Sequence, residues 1–369
     1  MKKSLIALAV LAASGAAMAQ SSVTLFGVVD NGVGYLKNSG DKNAFDTAGQ
    51  SNNGMTSNGN VNSRLGFRGV EDLGGGLKAG FWLEGQLIGD EGAGNGAGGS
   101  FNFKRRSTLS LMGNFGEVRM GRDLTAGYVK TSTYDVFGQV GMGRFTGWEN
   151  TPAGASADFN AIRSSNMLSY FTPNFGGFTA AVNYGFGESA VSNKTSRYIG
   201  GYAAYDNGPL SVSVGMDKNN GSLALAAVNT DRTQVSLGAS YDLGMVKLSG
   251  LAQQVKFEQV AFPNATTKFN NYALGVSAPV GPGTVKAQYA FYDTKDTKAD
   301  AQQLSVGYVY DLSKRTAVYG TVAFMKNKTD NNGLVAVRSA RGLGASGLAL
   351  GAAAGENQTG FQVGVRHAF

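Results

Sequence analysis

Phe361-Gln-Val-Gly-Val-Arg-His-Ala-Phe369, the end of the chain, places Phe361, Val363, Val365, His367 and Phe369 on one face of an extended strand. Gln362, Gly364, Arg366 and Ala368 fall on the other. Side chains alternate across a strand, so a period of two with one apolar and one polar face reads as a strand between two different environments. The pattern recurs upstream. Leu77, Ala79, Phe81, Leu83, Gly85 and Leu87 alternate with Lys78, Gly80, Trp82, Glu84 and Gln86; Val235, Leu237, Ala239 and Tyr241 alternate with Gln234, Ser236, Gly238 and Ser240. Val285, Ala287, Tyr289 and Phe291, and again Val306, Tyr308 and Tyr310, obey the same rule.

Alternation alone does not separate a half-wet soluble sandwich from a membrane barrel. The connectors do. Short clusters of Gly, Pro, Asn and Asp occur at 71–76, 113–116, 173–177, 206–209, 242–244, 279–283 and 311–314, and such residues make tight turns. Between them lie eight longer hydrophilic excursions, at about 38–60, 88–102, 123–162, 187–196, 218–230, 258–267, 294–301 and 326–357. Short and long connectors alternate strictly, which predicts an all-β, 16-stranded antiparallel transmembrane barrel. Short turns on the periplasmic rim and eight long external loops are the outer-membrane arrangement. A barrel of this size is too wide to fill with side chains and leaves an aqueous channel.

Composition narrows the alternatives. The chain of 369 residues has no cysteine and one histidine, His367, with 55 glycines, 15 tyrosines and 21 phenylalanines. Disulfides, a thiolate nucleophile and a Cys/His zinc site are therefore excluded, and a Ser-His-Asp arrangement would depend on His367. No enzyme activity, metal or cofactor is expected. Met1-Lys2-Lys3, the apolar run Leu5 to Ala13 and the small-x-small Ala17-Met18-Ala19 read as a signal peptide over 1–19, with cleavage between Ala19 and Gln20 and a barrel over 20–369. Without Lys2 and Lys3 the 32 basic residues become 30 against 25 acidic ones, a net charge of +5. That excess is too small to indicate nucleic acid. Past residue 19 no stretch is long and apolar enough for a transmembrane helix.

Several segments together resemble a known family: Gln20-Ser-Ser-Val-Thr-Leu-Phe-Gly-Val-Val-Asp30, the run from Ser63-Arg-Leu-Gly-Phe-Arg to Ala79, Phe115-Gly-Glu-Val-Arg-Met-Gly-Arg122, Tyr170-Phe-Thr-Pro-Asn-Phe-Gly-Gly-Phe178 and the terminal Phe369. In combination they are similar to the Gram-negative trimeric porins of β-proteobacterial type. The resemblance implies a homotrimeric, water-filled channel of the outer membrane, surrounded by lipid and lipopolysaccharide, for passive diffusion of small hydrophilic solutes and ions. It further implies a third loop folded into the lumen, a preference for small anions, and recognition of Phe369 by the barrel-assembly machinery. A substrate-selective channel of the same fold is the alternative.

The candidate pore residues follow from phase and from the resemblance. In the second strand Leu65 and Phe67 share one face, which turns Arg64 and Arg68 toward the lumen. In the fourth, Leu109 and Leu111 set the lipid face and place Arg106, Thr108 and Ser110 inside, whereas the family's pore arginine corresponds to Arg105; the two readings conflict. Arg163, opening the sixth strand, shares a lumen phase with Ser165 and Ser169 and matches the arginine before the family's Asn-x-x-x-Tyr segment. Arg64, Arg105 and Arg163 are thus the constriction candidates, with Arg68 and Arg106 secondary. Arg122 either reaches the channel or anchors the third loop. That loop, 123–162, is rich in glycine and aromatics and is expected to pack inside, where Asp135, Glu149 or Asp158 would face the arginines.

Overall fold

The computed structural model of the chain describes residues 22–39, 49–149, 162–188, 196–225, 228–259, 266–295, 300–328 and 356–369. The expected signal peptide, its cleavage pair Ala19 and Gln20, and Asp158 lie outside them.

Sixteen strands succeed one another. The first eight are β1 (Ser22–Ser39), β2 (Arg64–Gly74), β3 (Leu77–Ile88), β4 (Arg106–Gly113), β5 (Gly116–Leu124), β6 (Arg163–Phe171), β7 (Phe178–Gly185) and β8 (Tyr198–Asn207). The second eight are β9 (Leu210–Leu225), β10 (Val228–Asp242), β11 (Lys247–Gln259), β12 (Thr266–Val280), β13 (Gly283–Thr294), β14 (Ala301–Asp311), β15 (Thr316–Asn327) and β16 (Asn357–Ala368). Each pairs antiparallel with its predecessor, and β16 returns to β1 with Ala368 opposite Val28 and Asn357 opposite Ser39. The result is a closed 16-strand barrel. Two accessory strands, Ser51–Ser57 against β1 and Ala93–Gly94 against β3, belong to the first two long connectors.

All seven short turns fall at the Gly, Pro, Asn and Asp clusters. At the first, Gly74, Gly75 and Gly76 take φ of 84, 62 and 82°, a region costly for any residue with a Cβ. The fifth long excursion differs from expectation. Much of 218–230 is strand, because β9 runs to Leu225 and β10 starts at Val228. Polar contacts cross the hairpin: Asn220 donates to Asp231 at 2.8 Å, and Lys218 pairs with Asp231 at 3.3 Å. Hydrophilicity there marks a strand rising out of the apolar band.

The outer face carries large apolar side chains such as Leu25, Leu109, Leu237 and Leu274, the last 72% exposed. In water that surface would be unfavourable, whereas in hydrocarbon it is the solvated face. Near the short turns, Tyr170 and Tyr308 donate to the carbonyls of Phe115 (2.6 Å) and Val280 (2.8 Å), as aromatic side chains do at a membrane interface. Phe369 closes the seam, exchanging main-chain hydrogen bonds with Gly27 at 3.1 and 3.0 Å. Its ring lies where a Cβ on Gly27 would be, so that close approach requires glycine.

The third long connector turns inward. Thr125 is tied to Ile162 by a 3.0 Å main-chain bond at its neck, and a short helix follows over Ala126–Thr131. From there it runs along the inner wall. Tyr128, Tyr134, Phe145 and Trp148 form a buried cluster with Leu251, Tyr292 and Met325. The wall makes room with glycine: a Cβ at Gly238 would strike Tyr134, one at Gly275 would lie 2.6 Å from Val136, and one at Gly360 2.7 Å from Met142. Amides of the wall meet the loop backbone. Gln303 donates to the carbonyls of Met142 (3.0 Å) and Arg144 (3.2 Å), and Val136 donates to Gln288 at 3.2 Å.

Candidate functional site

With the loop spread over β8 to β16, the inner faces of β2 to β6 remain as the other side of the lumen. Antiparallel register sets Arg64 opposite Gln86, Arg106 opposite Glu84 and Arg68 opposite Trp82. Glu84 is the hub. Its carboxylate accepts from Arg105 at 2.6 Å and from the indole of Trp82 at 3.2 Å, and lies 4.0 Å from Arg64. Buried carboxylates persist where cations and donors satisfy them.

Both Arg105 and Arg106 turn inward at the start of the fourth strand. Arg106, Thr108 and Ser110 do face inward, with Thr108 and Ser110 buried while Leu109 is 56% exposed to the outside. Arg105 precedes the first residue of β4, so strand alternation does not govern it, and its side chain swings in to Glu84. A second charge group lies beside the first. Arg106 and Arg119 share Asp123 at 3.4 and 2.6 Å, and Arg119 also binds both oxygens of Glu117 at 2.8 Å.

Arg163 reaches the same neighbourhood by another route, donating to the Arg105 carbonyl at 3.0 Å. Arg163 does not share one lumen phase with Ser165 and Ser169 as strand alternation predicts. A register shift opposite Gly121 and Asp123 and a positive φ of 56° at Asn166 break the alternation of β6. Ser164, Met167 and Ser169 form the buried face, while Ser165 instead takes a hydrogen bond from Arg122 at 2.9 Å. Arg122 also donates to the Lys104 carbonyl at 2.6 Å, which ties the upper ends of β4, β5 and β6 together beside the root of the third loop.

The two loop acids among the described residues, Asp135 and Glu149, are bound within the loop itself. Asp135 is buried and accepts from the backbone N–H groups of Phe137 (3.1 Å), Gln139 (2.8 Å) and Phe145 (3.2 Å), closing the loop upon itself. Burial pushes its carboxyl above the usual range, against the pull of those donors. Glu149 is held by Arg144 at 2.7 Å to each oxygen, within the same loop. Among the described residues, the carboxylates paired with these arginines come from the barrel: Glu84, Glu117 and Asp123. Sequence reasoning missed Glu84 and Trp82 as site residues, although both stand on the polar phase of β3, the one signal that marked them.

A closed sixteen-strand wall, an inward third loop and an arginine-lined face together describe a pore. Residues 5–330 match the family model described as Gram-negative porin. The chain belongs to the Gram-negative porins. It is 55% identical to outer membrane porin protein 32 of Delftia acidovorans over the full length of both chains. An anion-selective porin from Comamonas acidovorans superposes with a TM-score of 0.83 at 53% identity, covering 95% of this chain and all of that one. The trimer form of OmpT of Vibrio cholerae, 15% identical with a TM-score of 0.65 over 95% of this chain and 99% of that one, shares the fold. This porin is accordingly an outer-membrane channel for passive diffusion. Its one histidine, His367, hydrogen-bonds the hydroxyl of Thr316 at 2.8 Å.

Proposed function

We propose that this porin prefers anions and that Arg64, Arg105 and Arg163 produce most of that preference at its narrowest point. The observation that carries the reading is their convergence near Glu84, on the wall facing the third loop. Around Glu84, Glu117 and Asp123 stand six arginines, Arg64, Arg68, Arg105, Arg106, Arg119 and Arg163, so the exposed wall is positive. A diffuse net charge would be screened beyond ~8 Å at physiological salt, so proximity must matter. An anion ~7 Å from one guanidinium in water-like dielectric gains about 0.6 kcal/mol, and three give roughly 2 kcal/mol, or an order of magnitude in anion over cation entry. The relative from Comamonas, anion-selective by its description, supports the same reading. Reversal potentials in a tenfold KCl gradient test it. Wild type should prefer anions, and Arg64→Ala, Arg105→Ala and Arg163→Ala should each weaken that preference about two- to threefold. A cation-preferring wild type would reject the reading.

Residues 1–19 serve as the signal peptide, so the mass of the mature protein should begin at Gln20. Phe369 serves the barrel-assembly machinery: one side chain contributes only ~1.5–3 kcal/mol of burial, and its deletion should lower outer-membrane yield more than barrel stability. The channel works as a homotrimer among lipid and lipopolysaccharide and has no enzymatic role. Light scattering of the detergent-solubilised protein should give three times the chain mass.

A further inference from the structure

Aromatic rings interrupt the polar lumen wall. Trp82 on β3 and Phe26 on β1 sit edge to face with centroids 5.0 Å apart. Arg68 stands over both, 5.2 Å from the Phe26 ring and 5.0 Å from the Trp82 ring, and Arg106 lies 4.5 Å from Trp82. The group is one inward step from Glu84 toward the short-turn rim, because Trp82 precedes Glu84 on a strand that starts at that rim.

The two guanidinium groups differ in their obligations. Arg106 is engaged by Asp123 at 3.4 Å and by the Thr108 hydroxyl at 3.1 Å. Arg68 is exposed, and among the described residues no carboxylate lies within 4.0 Å of it. Stacking fixes the plane of a guanidinium but leaves its N–H edge open, and that edge matches a carboxylate in bidentate fashion. Beside it the half-buried Trp82 presents ring surface to which an arene can pack.

We propose that Arg68, with the Phe26–Trp82 pair behind it, forms a transient subsite for aromatic carboxylates on the short-turn side of the Arg64–Glu84–Arg105 group. The inference rests on the anion preference proposed above and adds a solute class to it. Charge attracts any anion to Arg68. The rings distinguish a flat arene from a saturated ring of the same charge.

The probes are benzoate and cyclohexanecarboxylate, alike in charge and close in size, each added to wild-type channels in a planar bilayer while block of chloride current is recorded at neutral pH. Benzoate should half-block at a concentration about threefold lower, as expected of one aromatic contact. Trp82→Leu should bring the two probes together, and Arg68→Gln should weaken both. Should Trp82→Leu fail to assemble, Trp82→Met carries the same test, since it keeps a large apolar side chain and removes the ring. Equal block by the two probes in wild type would overturn the subsite. So would a benzoate preference that survives removal of the Trp82 ring. Reversal potential separates the failures: a channel that prefers anions but treats both probes alike refutes this inference alone.

Discussion

The two sides of the lumen are built from the same kind of alternating strand yet carry opposite chemistry. On β2 to β6 the inward residues include the arginines and carboxylates of the site, with Trp82, Thr108 and Ser110 between them. On β8 to β16 they are largely glycines, small residues and neutral amides such as Gln253, Asn271, Gln288 and Gln303, clamped beneath the third loop. The covered side also holds one fully buried ion pair, Arg232 with Asp217 at 2.9 Å beside the loop helix. A lumen-facing position is therefore not one environment. Arg68 on the open side is exposed with no carboxylate within 4.0 Å among the described residues, whereas the fully buried Arg232 and Asp217 are neutralised by each other within the wall.

That contrast is tested most severely at Arg232. Replacing it with Met leaves Asp217 buried without its partner and should cost about 3–5 kcal/mol, while the double change Arg232→Met/Asp217→Leu should recover most of the loss. Urea unfolding in detergent measures both, and a harmless single substitution would dissolve the distinction. Next in size is Gly238→Val, which sets a branched side chain against the Tyr134 ring. It should cost about 1–3 kcal/mol by overpacking and change single-channel conductance as the loop leaves its seat. On the open side the signature should reverse. Glu84→Gln removes the negative charge between Arg64 and Arg105 and should raise anion preference roughly two- to threefold in reversal-potential measurements. A fall in that preference would show that Glu84 matters chiefly by holding the arginines in place. The smallest effect belongs to Asp206, which holds Lys130 of the loop helix at 2.6 Å but is 41% exposed at its side chain. Asp206→Asn should shift stability by less than about 1 kcal/mol, less at high salt, and leave selectivity within error.

Much of this architecture was legible without coordinates, because a local signal encodes it. Period two gives the face of each residue, and Gly, Pro, Asn and Asp give the turns, so strand number, closure and the inward phase of Arg64, Arg106, Thr108 and Ser110 follow from neighbours along the chain. Alternation misled where the local premise failed. Arg105 lies just outside its strand, Asn166 inserts a bulge, and the polar residues of 218–230 extend a hairpin. Asp135 failed for another reason: a carboxylate in a glycine-rich loop looks the same on paper whether it meets water or three backbone N–H groups.

The amino-acid order by itself determined a porous sixteen-strand barrel with basic residues on its inner phase. Tertiary structure alone decided which inner surface is channel and which is seat. The contacts that make this division join Met142 to Gln303 and Val136 to Gln288, residues 161 and 152 positions apart. A periodic pattern reports what flanks a residue along its own strand. It carries no information about which distant segment will fold across it and exclude water, and that exclusion determines whether a lumen-facing side chain acts on solutes or packs against the loop.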